Sequence, residues 1–137
     1  MKIAVIDGQG GGIGKLVVEK LRRIPVQNMQ IIALGTNVAA TTLMLRAGAS
    51  EGATGENAIV YNVPGVDIII GAIGIVVANS MMGELTPLMA EAISSCHAKK
   101  ILIPLQKCNI EIAGVKNIPL PQHIENAISM VEDYMLK

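Results

Sequence analysis

The sequence predicts an α/β fold with a doubly wound, mostly parallel sheet, helices on both faces and a single domain over residues 1–137. Apolar strand-like runs alternate along the chain with segments of helical spacing. The first, second and fourth runs lack alternation between apolar and polar residues, which is typical of strands buried on both faces. Five glycines stand between the first strand and the first helix, where folds of this class bind phosphate groups. The expected strand order is 3-2-1-4-5.

The first strand and the first helix are predicted from residues 2–24. Residues 2–7 form a buried apolar run. The helix follows from apolar residues that recur at helical spacing, namely Ile13, Leu16, Val17, Leu21 and Ile24. Pro25 ends this helix because proline lacks the backbone N–H that the next turn needs.

Two further strand–helix units complete the first half of the chain. Residues 31–34 predict a second strand, and Thr36 or Asn37 then caps a helix that runs to about Arg46. Residues 51–54 predict a short third strand. A short helix opens at residues 54–56 and closes at residues 64–65, a Pro-Gly pair.

The second half begins with the most regular strand, residues 66–70, and a long connection follows it. Residues 71–84 are unusually long for a connection, which indicates a functional loop. Thr86 and Pro87 predict the start of a helix that runs to about Cys96. Residues 101–105 predict a fifth strand and residues 110–115 a sixth. A closing amphipathic helix is marked by Ile124, Ala127, Ile128, Val131 and Met135.

The composition excludes several functional classes. Lys and Arg balance Asp and Glu, 11 against 11, and the aromatic residues are Tyr61 and Tyr134, so neither a basic patch nor a base-stacking platform for nucleic acid is expected. No apolar run reaches membrane-spanning length, and the strand-like N-terminus is unlike a signal peptide, so we expect a cytoplasmic protein. Cys96 and Cys108 form no CxxC pair, and with His97 and His123 they fit no zinc pattern.

The glycine-rich segment favours a phosphate ligand over a tight turn alone. The dinucleotide pattern G-x-G-x-x-G fails because Ile13 occupies its third glycine position. The P-loop pattern fails because Gln9 replaces its first glycine and Leu16 its magnesium-binding hydroxyl. The variant G-x-x-x-G-I-G fits as Gly8, Gly12, Ile13 and Gly14.

That last pattern resembles the glycine loop of the short-chain dehydrogenases. The stretch VDIIIGAIG, residues 66–74, stands where that family has its fourth strand and a following glycine turn. The resemblance covers about half the chain and implies cofactor geometry. It implies no reaction, because neither Tyr61 nor Tyr134 is followed by Lys four residues later, as the family's catalytic pair requires.

The whole chain also resembles a family of small bacterial proteins that is known as a domain of unknown function. The segments that carry the resemblance are MKIAVIDGQGGGIGK, IIALGTN, EGATGENAIV, GAIGIVVANSMMGELTP and the stretch around Cys108. This resemblance implies the Rossmann-like fold and no established activity.

Polar residues follow the predicted strands at their carboxyl ends, which meet along one crevice in this topology. They are Thr36, Asn37, Thr54, Glu56, Asn57, Asn79, Ser80, Glu84, Gln106, Lys107 and Cys108. Helix capping alone would explain several of them. Together with the glycines they predict a cofactor site comprising Gly8, Gln9, Gly10, Gly11, Gly12, Ile13, Gly14, Lys15, Thr36, Asn37, Thr54, Gly71 and Gly74.

Three side chains are candidates for catalysis, without forming a recognisable constellation. Glu56 or Glu84 could act as a general base if burial raised its pKa, whereas a Glu in a first helical turn is commonly a solvated partner of the helix dipole. Cys108 follows a strand, where a nucleophile could stand, whereas a free cysteine is commonly a small core residue.

The functional hypothesis is a Rossmann-like module that binds a dinucleotide or another small phosphate-bearing ligand, as a sensor or accessory protein. The expected cofactor is NAD or NADP. The choice between the two stays open, since neutral Thr36 and Asn37 stand where an acid normally binds the ribose and no Arg stands there to hold a 2′-phosphate. A small NAD(P)-dependent oxidoreductase and a structural protein without a ligand are the alternatives. The apolar loop around Met81 and Met82 predicts a lid or a homodimer contact.

Overall fold

A computed structural model of the protein describes residues 1–105 and 109–137, and their elements alternate as predicted. The strands are β1 (Lys2–Asp7), β2 (Gln30–Gly35), β3 (Glu51–Thr54), β4 (Ile68–Ala72) and β5 (Lys99–Ile103). The helices are α1 (Gly12–Leu21), α2 (Val38–Arg46), α3 (Glu56–Asn62), α4 (Pro87–Ser95) and α5 (Leu120–Met135). Short 3₁₀ helices follow α3 at Val63–Gly65 and β4 at Ile73–Val76.

The described strands form one five-stranded sheet in the order β3-β2-β1-β4-β5, and every neighbouring pair is parallel. The predicted order is therefore confirmed. The chain leaves β1 toward β2 and later returns to β4 on the other side, so the order reverses between β1 and β4. Ligands of doubly wound sheets bind outside the carboxyl ends of the strands at such a reversal.

Apolar side chains pack on both faces of the sheet, which explains the unbroken apolar runs. On one face, α1 and α5 cover alternate strand residues such as Ile3 and Ile70. On the other face, α3 and α4 cover their neighbours, such as Ala4 and Ile69. The structure thus confirms the doubly wound fold class.

The helix starts follow local capping chemistry. The Asn37 side chain accepts a hydrogen bond from Ala40 N at 2.8 Å, and the Thr86 hydroxyl accepts one from Met89 N at 3.2 Å. Both residues adopt extended backbone, as N-cap residues do. The predicted caps of α2 and α4 are confirmed, whereas α1 begins after Gly11 without a side-chain cap.

The sixth strand predicted at residues 110–115 is wrong. These residues are irregular, and a turn occurs around Gly114, whose φ of 83° is left-handed. Ile112 is exposed, and no neighbouring strand pairs with this described segment. Apolar residues alone did not make a strand here because the backbone turns before a ladder can form.

Several element boundaries differ from the prediction by two or three residues. The fourth strand covers residues 68–72 instead of 66–70, and the fifth covers 99–103 instead of 101–105. The first helix ends at Leu21, and Pro25 follows after a turn. The long connection at residues 71–84 includes the end of β4 and the 3₁₀ helix.

Candidate functional site

A cavity of about 520 Å³ opens at the carboxyl ends of β1 and β4, where the strand order reverses. Its described lining combines the glycine loop with residues that come from the connections after β4 and β5. The lining residues are Asp7, Gly8, Gln9, Gly10, Gly11, Gly12, Ile13, Leu16, Ala72, Ile73, Gly74, Ser80, Met81, Met82, Leu105 and Leu120. A volume of this size suits a small organic ligand.

Three backbone N–H groups of this lining lack an acceptor among the described residues. Gly12 and Ile13 are the first two residues of α1, so their N–H groups precede its hydrogen-bond ladder, and Gly10 lies just before them. Their neighbours are occupied: Gly11 N donates to Gly8 O, and Lys15 N donates to Gly11 O. The N-terminus of a helix with free N–H groups favours an anion.

Three of the five glycines are required by the packing of the protein itself. A Cβ at Gly8 would collide with the Thr36 hydroxyl, and one at Gly14 would lie 2.7 Å from Met44 Sδ. Gly11 has a left-handed φ of 76°, and its Cβ would approach Ala40 Cα to 2.8 Å. Packing within the protein disfavours a side chain at these three positions whether or not a ligand binds. The count of glycines in the sequence therefore overstated the signal for an anion.

The other two glycines, Gly10 and Gly12, have open space at the Cβ position. No heavy atom of another described element lies within 4 Å of that position in either residue. Both residues line the cavity and carry free N–H groups. They are the two glycines of the loop that protein packing leaves unexplained.

Asp7 is a buried carboxylate at the end of β1 that the sequence-based site omitted. Asp7 is only 5% exposed. Its carboxylate accepts hydrogen bonds from Gly8 N at 2.8 Å and Gly14 N at 2.6 Å. Burial raises the pKa of Asp7, and the hydrogen bonds from Gly14 and Gly8 oppose this effect. Asp7 therefore ties the two ends of the glycine loop together beside the cavity.

Glu84 links the glycine loop to the turn after β2. Its Oε1 accepts hydrogen bonds from Thr36 Oγ1 at 2.7 Å, Gln9 N at 2.8 Å and Asn37 Nδ2 at 2.9 Å. Asn37 Nδ2 also donates to Gln9 O at 2.9 Å. The hydrogen bond from Thr36 is the main cause that lowers the pKa of Glu84, followed by that from Gln9. This carboxylate is an anchor for the loop.

The predicted cofactor residues thus fall into two groups. Residues 8–13 and Gly74 line the cavity. Thr36 and Asn37 lie beside the loop with Glu84, while Thr54 bonds to Thr41 at 2.7 Å between their hydroxyl oxygens. The side chain of Lys15 is exposed and outside the lining. Gly71 lies within β4, where a Cβ would approach Ile6 O to 2.7 Å, so packing explains this glycine.

The predicted catalytic candidates that the structure describes, Glu56 and Glu84, bond to different partners. Glu56 accepts a hydrogen bond from the Thr86 hydroxyl at 2.5 Å, which joins α3 to the start of α4. Neither Glu56 nor Glu84 lines the cavity. Cys108 lies outside the described residues, as do Gln106 and Lys107. Hydrogen bonds led by that from Thr36 lower the pKa of Glu84, so the raised pKa that a general base needs is absent at this residue.

The loop around Met81 and Met82 forms one wall of the cavity in an unusual backbone conformation. Asn79, Met81 and Met82 have left-handed φ values of 65°, 57° and 55°, and Gly83 follows with 88°. Met81 packs against the core, whereas Met82 is 97% exposed. Such strained residues cost free energy and are common at ligand sites.

Other kinds of site find no support in the described part of the chain. No group of three or more His, Cys, Asp or Glu residues there could hold a metal ion. No described helix is long and apolar enough to cross a membrane.

Comparisons with known proteins give a family for the chain. No curated protein matches it. Among solved structures, a dodecameric FMN-dependent Ubix-like decarboxylase from Escherichia coli O157:H7 is similar over 96% of this chain and 76% of its own, with 15% identity and a TM-score of 0.46. A family described as a domain of unknown function, DUF3842, matches residues 2–136. Because this match covers nearly the whole sequence, the chain belongs to the DUF3842 family.

Proposed function

We propose that the protein binds a small phosphate-bearing ligand in the cavity at the carboxyl ends of β1 and β4. The observation that carries the proposal is the set of free N–H groups on Gly10, Gly12 and Ile13, all in residues that line the cavity. The positive end of the α1 dipole adds to their attraction for an anion. A phosphate there would satisfy donors that the described residues leave unpaired.

The loop that carries these donors is held in place before any ligand binds. Asp7 fixes Gly8 and Gly14, and Glu84 fixes Gln9. A loop that is already ordered loses little conformational entropy when a ligand binds, which favours affinity. This architecture suits a sensor or accessory protein that responds to the occupancy of the cavity.

A second candidate function is an NAD-dependent oxidoreductase, which the position of Glu84 favours. In dinucleotide-binding folds an acid near the end of the second strand binds the ribose hydroxyls. Glu84, though it comes from a later loop, lies beside Thr36 at that strand end, and its Oε2 has no hydrogen-bond partner among the described residues. Its charge would favour NAD over NADP.

The experiment is a thermal-shift titration with FMN, NAD, NADP, ATP and coenzyme A, without added magnesium. A ligand that binds the folded state raises the melting temperature with increasing concentration. Gly12→Ala should abolish that rise because a methyl group enters the open space beside the donors, while the fold tolerates it. Gly65→Ala is the matched control, since its Cβ also meets nothing within 4 Å and Gly65 lies outside the cavity.

Two results would contradict the proposal. One is the absence of any shift with all five compounds. The other is a shift that Gly12→Ala leaves unchanged, because the ligand would then bind elsewhere. The first result would favour a structural role without a ligand, and the second a ligand site away from the glycine loop.

Self-association is a separate proposal that rests on the apolar loop. Met82 is the most exposed of the large apolar side chains and stands at the cavity mouth. A homodimer would have twice the mass of one chain by light scattering. The mass of one chain would contradict it and leave ligand binding unaffected.

A further inference from the structure

We propose that the ligand is a phosphomonoester with an apolar body, which lies on the β4–β5 side of the glycine loop and not across β2. The inference rests on the proposed function and names the class of molecule that the cavity takes. It competes with the second candidate function, in which a dinucleotide extends over both sides of β1 and reaches Glu84. Three features of the site carry it: a closed side, an open apolar side and the placement of two carboxyl groups.

The side of the loop toward β2 is closed by side chains. Glu84 Oε1 lies 2.7–2.9 Å from its three donors on Gln9, Thr36 and Asn37, so no gap for a ligand remains between the loop and the turn after β2. A second contact joins the loop to this turn, because Asn37 Nδ2 donates a hydrogen bond to Gln9 O. A ribose placed here would have to displace this cluster.

The space over Gly8 is filled as well. A Cβ built on this residue would collide with the Thr36 hydroxyl and would lie 2.6 Å from Met81 Sδ and 3.1 Å from Glu84 Oε1. Ligand atoms are excluded from the same space. A ligand on the loop can therefore approach Gly10 and Gly12, whose Cβ positions face open space. It cannot extend over Gly8 toward β2.

The opposite side is open and mainly apolar. Beyond the glycines, most of the described lining is apolar, and its polar members are Asp7, Gln9 and Ser80. The apolar members are Ile13, Leu16, Ala72, Ile73, Met81, Met82, Leu105 and Leu120. Aliphatic and methionine side chains hold an uncharged ring or hydrocarbon well, and methionine adapts to its shape. The ligand body that follows the phosphate is therefore expected to be apolar.

The charges beside the loop favour a single phosphate. Asp7 lies in the lining and Glu84 just outside it, so a carboxyl group stands on each side of Gly8. Three free N–H groups can serve the oxygens of one phosphate. A second phosphate would find these donors already used and would meet the repulsion of the carboxylates.

Isothermal titration calorimetry tests the inference with three phosphomonoesters, FMN, pyridoxal 5′-phosphate and phenyl phosphate, and with NAD and NADP. At least one monoester should bind once per chain, about tenfold or more tighter than NAD and NADP. Its parent without phosphate, namely riboflavin, pyridoxal or phenol, should bind about tenfold or more weaker. That difference isolates the phosphate contact.

A pair of variants locates the apolar body. Leu16→Glu places a charge in the lining and should weaken the monoester about tenfold or more. Leu88→Glu is its control, because Leu88 is an exposed leucine on α4 outside the cavity. Unchanged binding by Leu16→Glu would overturn the assignment of the β4–β5 side.

The remaining outcomes separate this inference from the proposed function. Tighter binding of NAD or NADP than of every monoester, lost in Gly12→Ala, would overturn the inference and leave phosphate binding at the loop intact. The absence of binding by all five phosphate compounds would overturn both.

Discussion

At the scale of single residues, the glycine loop combines positions required by packing with positions left open for a ligand. The sequence identified the loop but could not separate the two kinds. Gly8 is crowded by Thr36, Met81 and Glu84, which come from distant parts of the chain. Asp7 was missed for the same reason, since an acid that ends an apolar strand shows its partners only after Gly14 folds back onto it.

Substitution by alanine should lower the free energy of unfolding by different amounts at the two kinds of glycine. A Cβ at Gly14 would lie 2.7 Å from Met44 Sδ and 2.9 Å from Asp7 Cβ, so Gly14→Ala should cost about 1–3 kcal/mol of the free energy of unfolding through overpacking. Gly10→Ala meets no such neighbour and should cost far less. Urea denaturation of both variants measures the difference, and equal losses would refute the distinction.

Glu84→Gln should make the free energy of unfolding less dependent on pH in the acid range. Hydrogen bonds from Thr36 and Gln9 lower the pKa of Glu84 in the folded protein below its ordinary value of 4.5. Its stabilising effect is therefore complete above the unfolded pKa and disappears as the pH falls through the folded pKa. The free energy of unfolding of the wild type should exceed that of Glu84→Gln by its full amount at pH 7, and the difference should shrink below about pH 4.5.

The measurement is a series of urea titrations of both proteins from neutral to acid pH. Asp7 and all other acids are common to both chains. Because the charge of Glu84 also raises the pKa of Asp7, the difference between the curves reports Glu84 together with this coupling. A difference that stays constant down to the acid limit of the folded protein would contradict the assigned role of Glu84.

At the scale of elements, local signals predicted helix starts well and predicted one strand wrongly. Asn37 and Thr86 cap helices through contacts within three residues, so their chemistry is visible in the sequence. The stretch at residues 110–115 has strand-like composition, yet a strand also requires a partner. Left-handed backbone at Asn109 and Gly114 interrupts the extended conformation that a strand here would need, which composition does not show.

Thr86→Ala should destabilise the protein more than an ordinary polar change on the same helix. The Thr86 hydroxyl accepts from Met89 N and donates to Glu56 Oε2, so its loss frees an N–H of α4 and cuts a link to α3. We expect a cost of about 0.5–2 kcal/mol. Ser94→Ala is the control within α4, where an exposed hydroxyl bonds only to Glu91 O and the change should stay within about 0.5 kcal/mol. Thermal unfolding of the two variants measures the difference. A loss of stability in Thr86→Ala no larger than that in Ser94→Ala would contradict the capping role of Thr86.

At the scale of the whole molecule, the topology was predictable and the cavity was not. The alternation of strands and helices along the chain, together with the right-handed crossovers of parallel sheets, limits the strand order to a few possibilities. The cavity instead depends on where Met81, Leu105 and Leu120 meet the glycine loop. No local pattern encodes that meeting. The site predicted from the sequence therefore combined the glycine loop with Thr36 and Asn37, which bond to Glu84 outside the cavity lining.

The single domain expected from the sequence predicts that both faces of the sheet unfold together. Ile69 and Ile70 are adjacent, fully buried residues of β4 that pack in the cores of opposite faces. Because they share one strand, Ile69→Ala should destabilise both cores, at a cost of about 2–5 kcal/mol. The two tyrosines report the faces separately, with Tyr61 on α3 and Tyr134 on α5, and the chain has no tryptophan to obscure them.

The test combines Ile69→Ala with Tyr61→Phe or Tyr134→Phe, so that a single tyrosine remains in each protein. Both tyrosines are well exposed, so the reporter changes themselves should cost little. Relative to the matching parent, Ile69→Ala should lower the urea midpoint seen by Tyr134 as much as that seen by Tyr61, although Tyr134 lies on the other face. A midpoint that moves only for Tyr61 would mean that the faces unfold independently, because a cooperative domain transmits the loss at one core to the other through the shared strand.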